Sequence, residues 1–374
     1  MKLNFKMKIL QLVKYYDPSK GGMESVVKNI VEGINKTSNT TNFTVYSNNH
    51  KLKFSKSILK KYRETIIKEI TPFLLKSQPL NLIYRNLKNL IIENDVIHHH
   101  YPYPTMELAL YRNLKYFKNK KFIITWHANI KKSRWSWIEK IYNPLIEKLL
   151  DRADFIVVTT PQILNASEIL KKYTHKIKII TLSYNTNNVL LENKKRPINR
   201  PFELLFVGKL RKYKGVDFLI KSIESLPVKL KIIGDGEELK TLKILVNKLN
   251  INNKVDFIIN ANDEELASYY QKSDLFILPS INEAEAFGIV QLEAMSYGLP
   301  VINTKLESGV PFVSLNDFSG LTVEPKNINS LKNAIEKIIY DEYLYDQFSK
   351  NALERVKFFS IEKMAQDYIN IYKD

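Results

Sequence analysis

Cysteine is absent from the 374-residue chain. A disulfide framework and a thiolate metal site are therefore both excluded, and the reducing cytosol is the simplest compartment. No run approaches the roughly 18 apolar residues that a spanning helix needs. The first segment, "MKLNFKMKILQLVKYYD", is broken by Lys2, Lys6 and Lys8, and its apolar run stops at Lys14. That is too short and too interrupted for a secretory signal. A cytoplasmic chain, soluble or bound only at a surface, is the expectation. There is no short-period repeat, and no low-complexity tract beyond Asn-rich patches. No Gly-x-Gly-x-x-Gly follows the first strand-like segment, which argues against a nicotinamide oxidoreductase. No nucleic-acid reading module is recognisable, and aromatic and basic residues do not interleave as on a stacking surface.

Acidic residues are scarce in one half only. Residues 1–200 hold 36 Lys and Arg against 14 Asp and Glu, whereas residues 201–374 hold 21 against 25. The overall charge of +18 thus resides entirely in the first half. Such asymmetry points to a polyanionic partner: nucleic acid, an anionic membrane or a phosphorylated substrate. A Lys- and Asn-rich composition drifting without function is the plainer alternative.

Length suggests two domains. In the first half, "MKILQLV" (7–13), "NFTVYS" (42–47), "DVIHHH" (95–100), "KFIITWH" (121–127), "DFIVVTT" (154–160) and "IKIITL" (177–182) read as strands. Residues 21–34 and 133–152 between them carry apolar residues at helical spacing. A polar, Pro-containing stretch at 185–201 reads as a linker. The second half repeats the alternation, with strands at 203–207, 229–233, 255–259, 274–278 and 300–303. Its helices fall at 215–225, 237–250, 263–271, 288–297 and 327–339. Alternation predicts an α/β fold with two doubly wound, Rossmann-like parallel-sheet domains facing a cleft.

The chemistry concentrates in "EAEAFGIVQLEAMSYGLP" (283–300), after the strand-like "DLFILPS". Gly298 and Pro300 stop a helix that begins near Phe287 or Gly288. Glu285 precedes its first turn and Glu293 lies on its second, so the carboxylates stand well apart and suit two places on one elongated ligand. Free amides at Phe287, Gly288 and Ile289 favour an anion. A phosphate beside two carboxylates is repelled, so the carboxylates should hold hydroxyls and cations elsewhere should meet the phosphate. Those cations occur upstream in "GKLRKYKG" (208–215), where Lys209, Arg211, Lys212 and Lys214 occupy a strand-to-helix loop. The loop lacks the spacing and the Ser/Thr of a Walker motif. A solvated basic loop and an exposed helix face are the plain alternatives.

Together these segments resemble the retaining GT-B glycosyltransferases of family 4 (group 1 glycosyltransferases), of the bacterial surface-polysaccharide type. The family's Glu-x7-Glu is matched by Glu285 to Glu293 in "EAFGIVQLE". Its Gly-Arg-Leu…Lys-Gly segment is matched by "GKLRKYKG", with Lys209 where arginine is usual. "GGMESVVKNIVEGI" (21–34), "ITWHANIKKSRWSW" (124–137), "IIGDGEEL" (232–239), residues 306–335 and the tail 359–374 follow in the family's order. The resemblance implies an N-terminal acceptor-side domain over 1–190, a linker at 191–200 and a nucleotide-sugar domain over 201–358. Residues 359–374 would form a helix crossing back to the first domain. It also implies the roles. Glu285 would hold hydroxyls of the transferred sugar, and Glu293 those of the ribose. Phe287, Gly288 and Ile289 would offer amides to sugar or phosphate. Lys209 and Lys214 would neutralise the leaving diphosphate, with Gly21 and Gly22 offering further amides to it; either Lys209 or the donor-binding Arg211 would stand in for the family's usual arginine. His127 would sit beside the reacting sugar. No metal or other cofactor is implied.

The expected reaction is transfer of a sugar from a GDP- or UDP-sugar, GDP-mannose among them, to a lipid-linked saccharide in O-antigen or lipopolysaccharide assembly. A nucleotide-sugar epimerase on the same fold and a polyanion-binding protein are the alternatives. Residues 51–68, with Phe54, Ile58, Tyr62 and Ile66 recurring among lysines, read as an amphipathic helix that could lie on an anionic inner-membrane surface. Trp135 and Trp137 lie in a second basic stretch. His98 and His100 alternate to one face of a strand, where they could line the cleft.

Overall fold

The computed structural model describes residues 6–19, 22–75, 78–129, 139–184 and 200–374. Gly21, Trp135, Trp137 and nearly all of the expected linker lie outside them. The chain forms two compact units. One takes in the chain through Ser183 together with Ile361–Asp374, and the other is Tyr184–Ser360.

The first unit is built on eight strands: β1 Met7–Leu12, β2 Thr41–Asn48, β3 Ser57–Lys61, β4 Glu64–Glu69, β7 Val96–Tyr101, β8 Lys121–Trp126, β9 Phe155–Val158 and β10 Ile177–Ile179. A separate two-stranded ribbon pairs β5 Leu74–Leu75 with β6 Gln78–Pro79. The sheet order is β10-β9-β8-β7-β1-β2-β4-β3, parallel except for the β3 edge. Strand order reverses between β1 and β7, the switch point where doubly wound sheets place their ligands. Central strands are buried on both faces: Ile9, Leu10, Leu12, Ile97, Phe122 and Ile123 are all buried, and so are the polar Gln11, His98, His99 and His100. The terminal helix Ile361–Lys373 buries Met364, Ala365, Tyr368, Ile369 and Tyr372 in this unit. It packs on the helix Gly22–Thr37 so closely that a Cβ on Gly33 would lie 2.7 Å from Ile361.

The second unit carries β11 Phe202–Val207, β12 Val228–Ile233, β13 Val255–Ile258, β14 Leu275–Ile277, β15 Val301–Thr304 and β16 Gly320–Val323. They form an all-parallel sheet, β13-β12-β11-β14-β15-β16, with its switch point between β11 and β14. Leu204, Leu205, Phe206, Phe276 and Ile302 form its buried centre.

Residues 51–68 are not a helix. They contain β3 and most of β4, an antiparallel pair closed at Tyr62-Arg63 with Arg63 at φ 58°. The four-residue recurrence was coincidental in a run of β-favouring Ile, Thr and Tyr. Arg63 donates to the carbonyls of Thr41 and Asn35, which ties the turn down. The helix expected at 288–297 is shorter, Val290–Ser296, because Gly288 turns the chain at φ +74°. Helices Leu87–Glu93, Pro104–Asn113 and Glu342–Lys357, and strand β16, were not foreseen.

Candidate active site

In the second unit, the loops leaving β11 and β14 meet at the switch point. Gly215 (φ +64°) makes that possible, since a Cβ there would lie 2.2 Å from the Pro279 carbonyl. The Ile281 amide donates to the Tyr213 carbonyl at 2.8 Å across the same junction. This closeness sets Lys214 against Glu285. Its ammonium lies 2.5 Å from Glu285 Oε2, and both side chains are about nine-tenths buried. Ser280 Oγ donates to the same oxygen at 3.1 Å. A buried ion pair has a large desolvation cost, so its geometry must be good and its remaining lone pairs satisfied. Sequence reading separated these residues into a hydroxyl binder and a phosphate binder. The structure makes them one unit.

Glu293 stands apart with other partners. It accepts from the Tyr270 hydroxyl at 2.7 Å, and Tyr270 stacks on Tyr297. Burial raises the Glu293 pKa, with Asp263 adding to it, while the Tyr270 hydrogen bond works the other way. Burial and the same carboxylate push the Tyr270 hydroxyl well up. Among the described residues Glu293 Oε1 has no partner, which suits it to accept from a ligand hydroxyl. The two carboxylates therefore occupy separate environments.

Lys209 and Arg211 are exposed on the same loop, with no ion pair among the described residues. Burial and Glu285 raise the pKa of the neighbouring Tyr213 hydroxyl, and Lys214 and Arg211 work the other way. The loop is backed by "GDG": the Leu210 amide donates to the Asp235 carbonyl, and the Glu238 amide donates back to Leu210. Amides of Phe287, Gly288 and Ile289 have no partner among the described residues. Beneath them, Asn303 donates to Gln291 Oε1 and to the carbonyls of Val310 and Ser314. That buried network holds the 287–291 turn rigid.

In the first unit, His127 follows β8 and is half-buried. His100 Nδ1 lies 2.9 Å from His127 Nε2, and His100 Nε2 lies 2.8 Å from Gln11 Oε1. Gln11 donates to the Tyr372 hydroxyl at 2.9 Å, and that hydroxyl lies 2.7 Å from His98 Nδ1. His98 and His100 do share one face, with ring centroids 4.3 Å apart, but both are fully buried and line no opening. Burial drives their pKa values well below the ordinary histidine value, and that of His127 down to about 3. The cluster is neutral at physiological pH. Gly22 opens the helix Gly22–Thr37, with nothing within 4 Å of where a Cβ would stand. Among the described residues no group of three or more His, Cys, Asp or Glu could hold a metal ion. No helix among them is long and apolar enough to cross a membrane.

Sequence reading missed Ser280, Tyr270, Gln11 and Tyr372. Ser280 was within reach, as the last residue of the run into the Glu285 loop. The others act through tertiary contacts with no local signal.

Two family models match the chain: Glycosyltransferase Family 4 over residues 20–187, and Glycosyl transferases group 1 over residues 190–355. The chain belongs to the group 1 glycosyltransferases. This glycosyltransferase is 25% identical to the O-antigen chain mannosyltransferase C of Escherichia coli over 385 residues, covering 98% of each chain. Its fold matches sucrose-phosphate synthase of Thermosynechococcus elongatus with a TM-score of 0.75 at 22% identity, over 98% of each chain. It also matches an Anabaena protein solved in complex with UDP, with a TM-score of 0.73 at 18% identity, over 98% of this chain and 100% of that one. The architecture of the glycosyltransferase is GT-B, with an all-parallel sheet in the second unit and a sheet parallel but for its β3 edge in the first.

Proposed function

We propose that this glycosyltransferase moves a hexose-type sugar, with retention at the anomeric carbon, from a nucleotide-diphosphate donor to a lipid-linked saccharide. The product would feed a surface polysaccharide of the O-antigen kind. The observation that carries the reading is the buried Lys214–Glu285 pair at the β11/β14 switch point, beside unpartnered amides at 287–289. A cation, a carboxylate and aimed N–H groups together suit a sugar attached to a diphosphate. The UDP complex of the Anabaena protein supports a nucleotide-linked donor. The name of the full-length relative makes GDP-mannose the first sugar to try.

In this reading Glu285 holds hydroxyls of the transferred sugar, and Glu293 holds the ribose through its free oxygen. Lys209, Arg211 and Lys214 meet the diphosphate, with the amides of Phe287, Gly288, Ile289, Gly21 and Gly22. No side-chain nucleophile is required. The acceptor oxygen bonds to the anomeric carbon on the face that the phosphate leaves. The anomeric carbon–phosphate oxygen bond breaks, and the acceptor's proton passes to that departing oxygen. Cations and amides stabilise the developing charge, so catalysis is positioning plus electrostatic preorganisation. No metal or other cofactor takes part in this scheme.

Attachment at the cytoplasmic face of a membrane belongs to the same reading. Leu52, Phe54, Ile58 and Tyr62 are more than half exposed around the β3 edge, among Lys51, Lys53, Lys60 and Lys61. Exposed apolar groups ringed by cations fit an anionic lipid surface. Phe54→Asp with Tyr62→Asp should abolish sedimentation with anionic vesicles; equal binding of the parent protein to neutral vesicles would remove the idea.

The function is tested by a thermal-shift screen against GDP- and UDP-sugars, followed by NMR of the product anomer. A shift with one nucleotide class and a retained anomer are expected. An inverted product, or no shift with any nucleotide sugar, would overturn the reading.

A further inference from the structure

The buried polar groups beside β1, β7 and β8 form one hydrogen-bonded chain whose protons can be assigned in turn. Gln11 has one amide acceptor and one amide donor group. Its Nε2 donates to the Tyr372 hydroxyl, so its Oε1 accepts from His100 Nε2–H. A neutral imidazole carries a single ring proton, so His100 Nδ1 is a lone pair. The 2.9 Å contact between His100 Nδ1 and His127 Nε2 then requires a proton on His127 Nε2. Neutral His127 is left with a bare Nδ1, which has no partner among the described residues. At the other end, Tyr372 donates to His98 Nδ1, and His98 Nε2–H goes to Thr125 Oγ1 at 2.7 Å. Every ring in the chain has one proton and one assigned direction.

The sheet register builds this arrangement. Gln11 lies opposite His98 across β1 and β7, and His100 lies opposite Thr125 across β7 and β8. The missing hydroxyl arrives from the terminal helix, 361 residues from Gln11. Were the Gln11 amide turned round, its Nε2 would donate to His100 and every proton would shift, forcing the His127 proton onto Nδ1. One buried amide thus decides whether the outer nitrogen of His127 accepts or donates.

We infer that Gln11 is a positioning residue that, through His100, sets His127 in its Nε2–H tautomer, leaving Nδ1 to accept a hydrogen bond from a substrate hydroxyl. The inference rests on the reading of His127 as a site residue. Its test separates the two. The full-length protein labelled with 15N-histidine has six imidazoles, and a His127→Asn variant identifies the signals of interest. Long-range 1H–15N spectra should show His127 protonated on Nε2. In Gln11→Leu, the His127 pattern should become a mixture of tautomers. Its kcat should fall about tenfold with KM for the donor little changed, the scale of one hydrogen bond lost in the transition state. Gln11→Glu, whose buried carboxylate favours a second proton on His100, should make His100 Nδ1–H donate to His127 Nε2 and move the His127 proton to Nδ1, with the rate staying low. Thermal melts confirm that each variant is folded. A His127 protonated on Nδ1 in the parent protein, or an unchanged pattern in folded Gln11→Leu, overturns the inference. The expected tautomers with an unchanged rate would uphold the assignment by Gln11 and overturn the role of His127 in the site.

Discussion

The two units share one strand plan, with the order reversing beside the first strand of each sheet. They hold their polar groups by opposite means. In the second unit, a charged pair joins loops from neighbouring strands, Lys214 to Glu285. In the first, a neutral chain of Gln, His and Tyr is closed by a helix from the far end of the sequence. A charge pair is strong and local, and it fails abruptly when one partner is lost. A neutral network is directional and distributed, and it fails through loss of order. The first device suits a site that must stabilise charge. The second suits a site that must present one face of an imidazole.

The charged device should break hardest. Lys214→Met leaves Glu285 buried without its cation and should cost about 3–5 kcal/mol in urea unfolding. Adding Glu285→Gln should recover much of that loss; an additive double mutant would deny the coupling.

The neutral device should break with acid. His98 and His100 have folded pKa values depressed below 6.5, so they contribute stability that is present above that pH and is lost as pH falls. Unfolding free energy should drop by up to about 1.4 kcal/mol per pH unit for each histidine below pH ~6.5. A flat profile between pH 7 and 5.5 would contradict the neutral assignment.

The helix that closes the network should break by crowding. Gly33→Ala puts its methyl against Ile361 and Ala365, and should cost about 1–3 kcal/mol by overpacking. His127 tautomer signals should blur in parallel; sharp signals in a destabilised Gly33→Ala would uncouple helix and histidine.

The smallest effect has the opposite sign. The raised Glu293 pKa means that its folded form favours the proton. Its contribution is most favourable below the ordinary carboxylate range and is lost as pH rises through the folded value. Glu293→Gln should therefore raise the melting temperature slightly at neutral pH while weakening nucleotide binding. Lower stability with unaltered binding would reverse the assignment.

The same contrast explains what was legible. Most β-strand positions in both units could be read from short apolar runs, because parallel strands are buried on both faces. Glu285, Glu293, Lys209 and Lys214 stood out because loop and helix signals flank them. Gln11 and Tyr372 could not be found this way. Each is an ordinary residue in an apolar strand or an amphipathic helix, and only folding brings them within 2.9 Å. Residues 51–68 misled because a spacing of four fits a helix, while tertiary pairing with β2 selected strands. The union of Lys214 with Glu285 was hidden too, since it depends on how closely Gly215 lets two loops approach.

In the proposed reaction the buried Lys214–Glu285 pair is the centre of sugar transfer. The most direct measurement is the rate of transfer by folded Glu285→Gln, using the nucleotide sugar found by thermal shift. A fall in kcat of about 10²–10³-fold is expected, with the calorimetric affinity for the free nucleotide little changed. Near-parental turnover from a folded Glu285→Gln would contradict it.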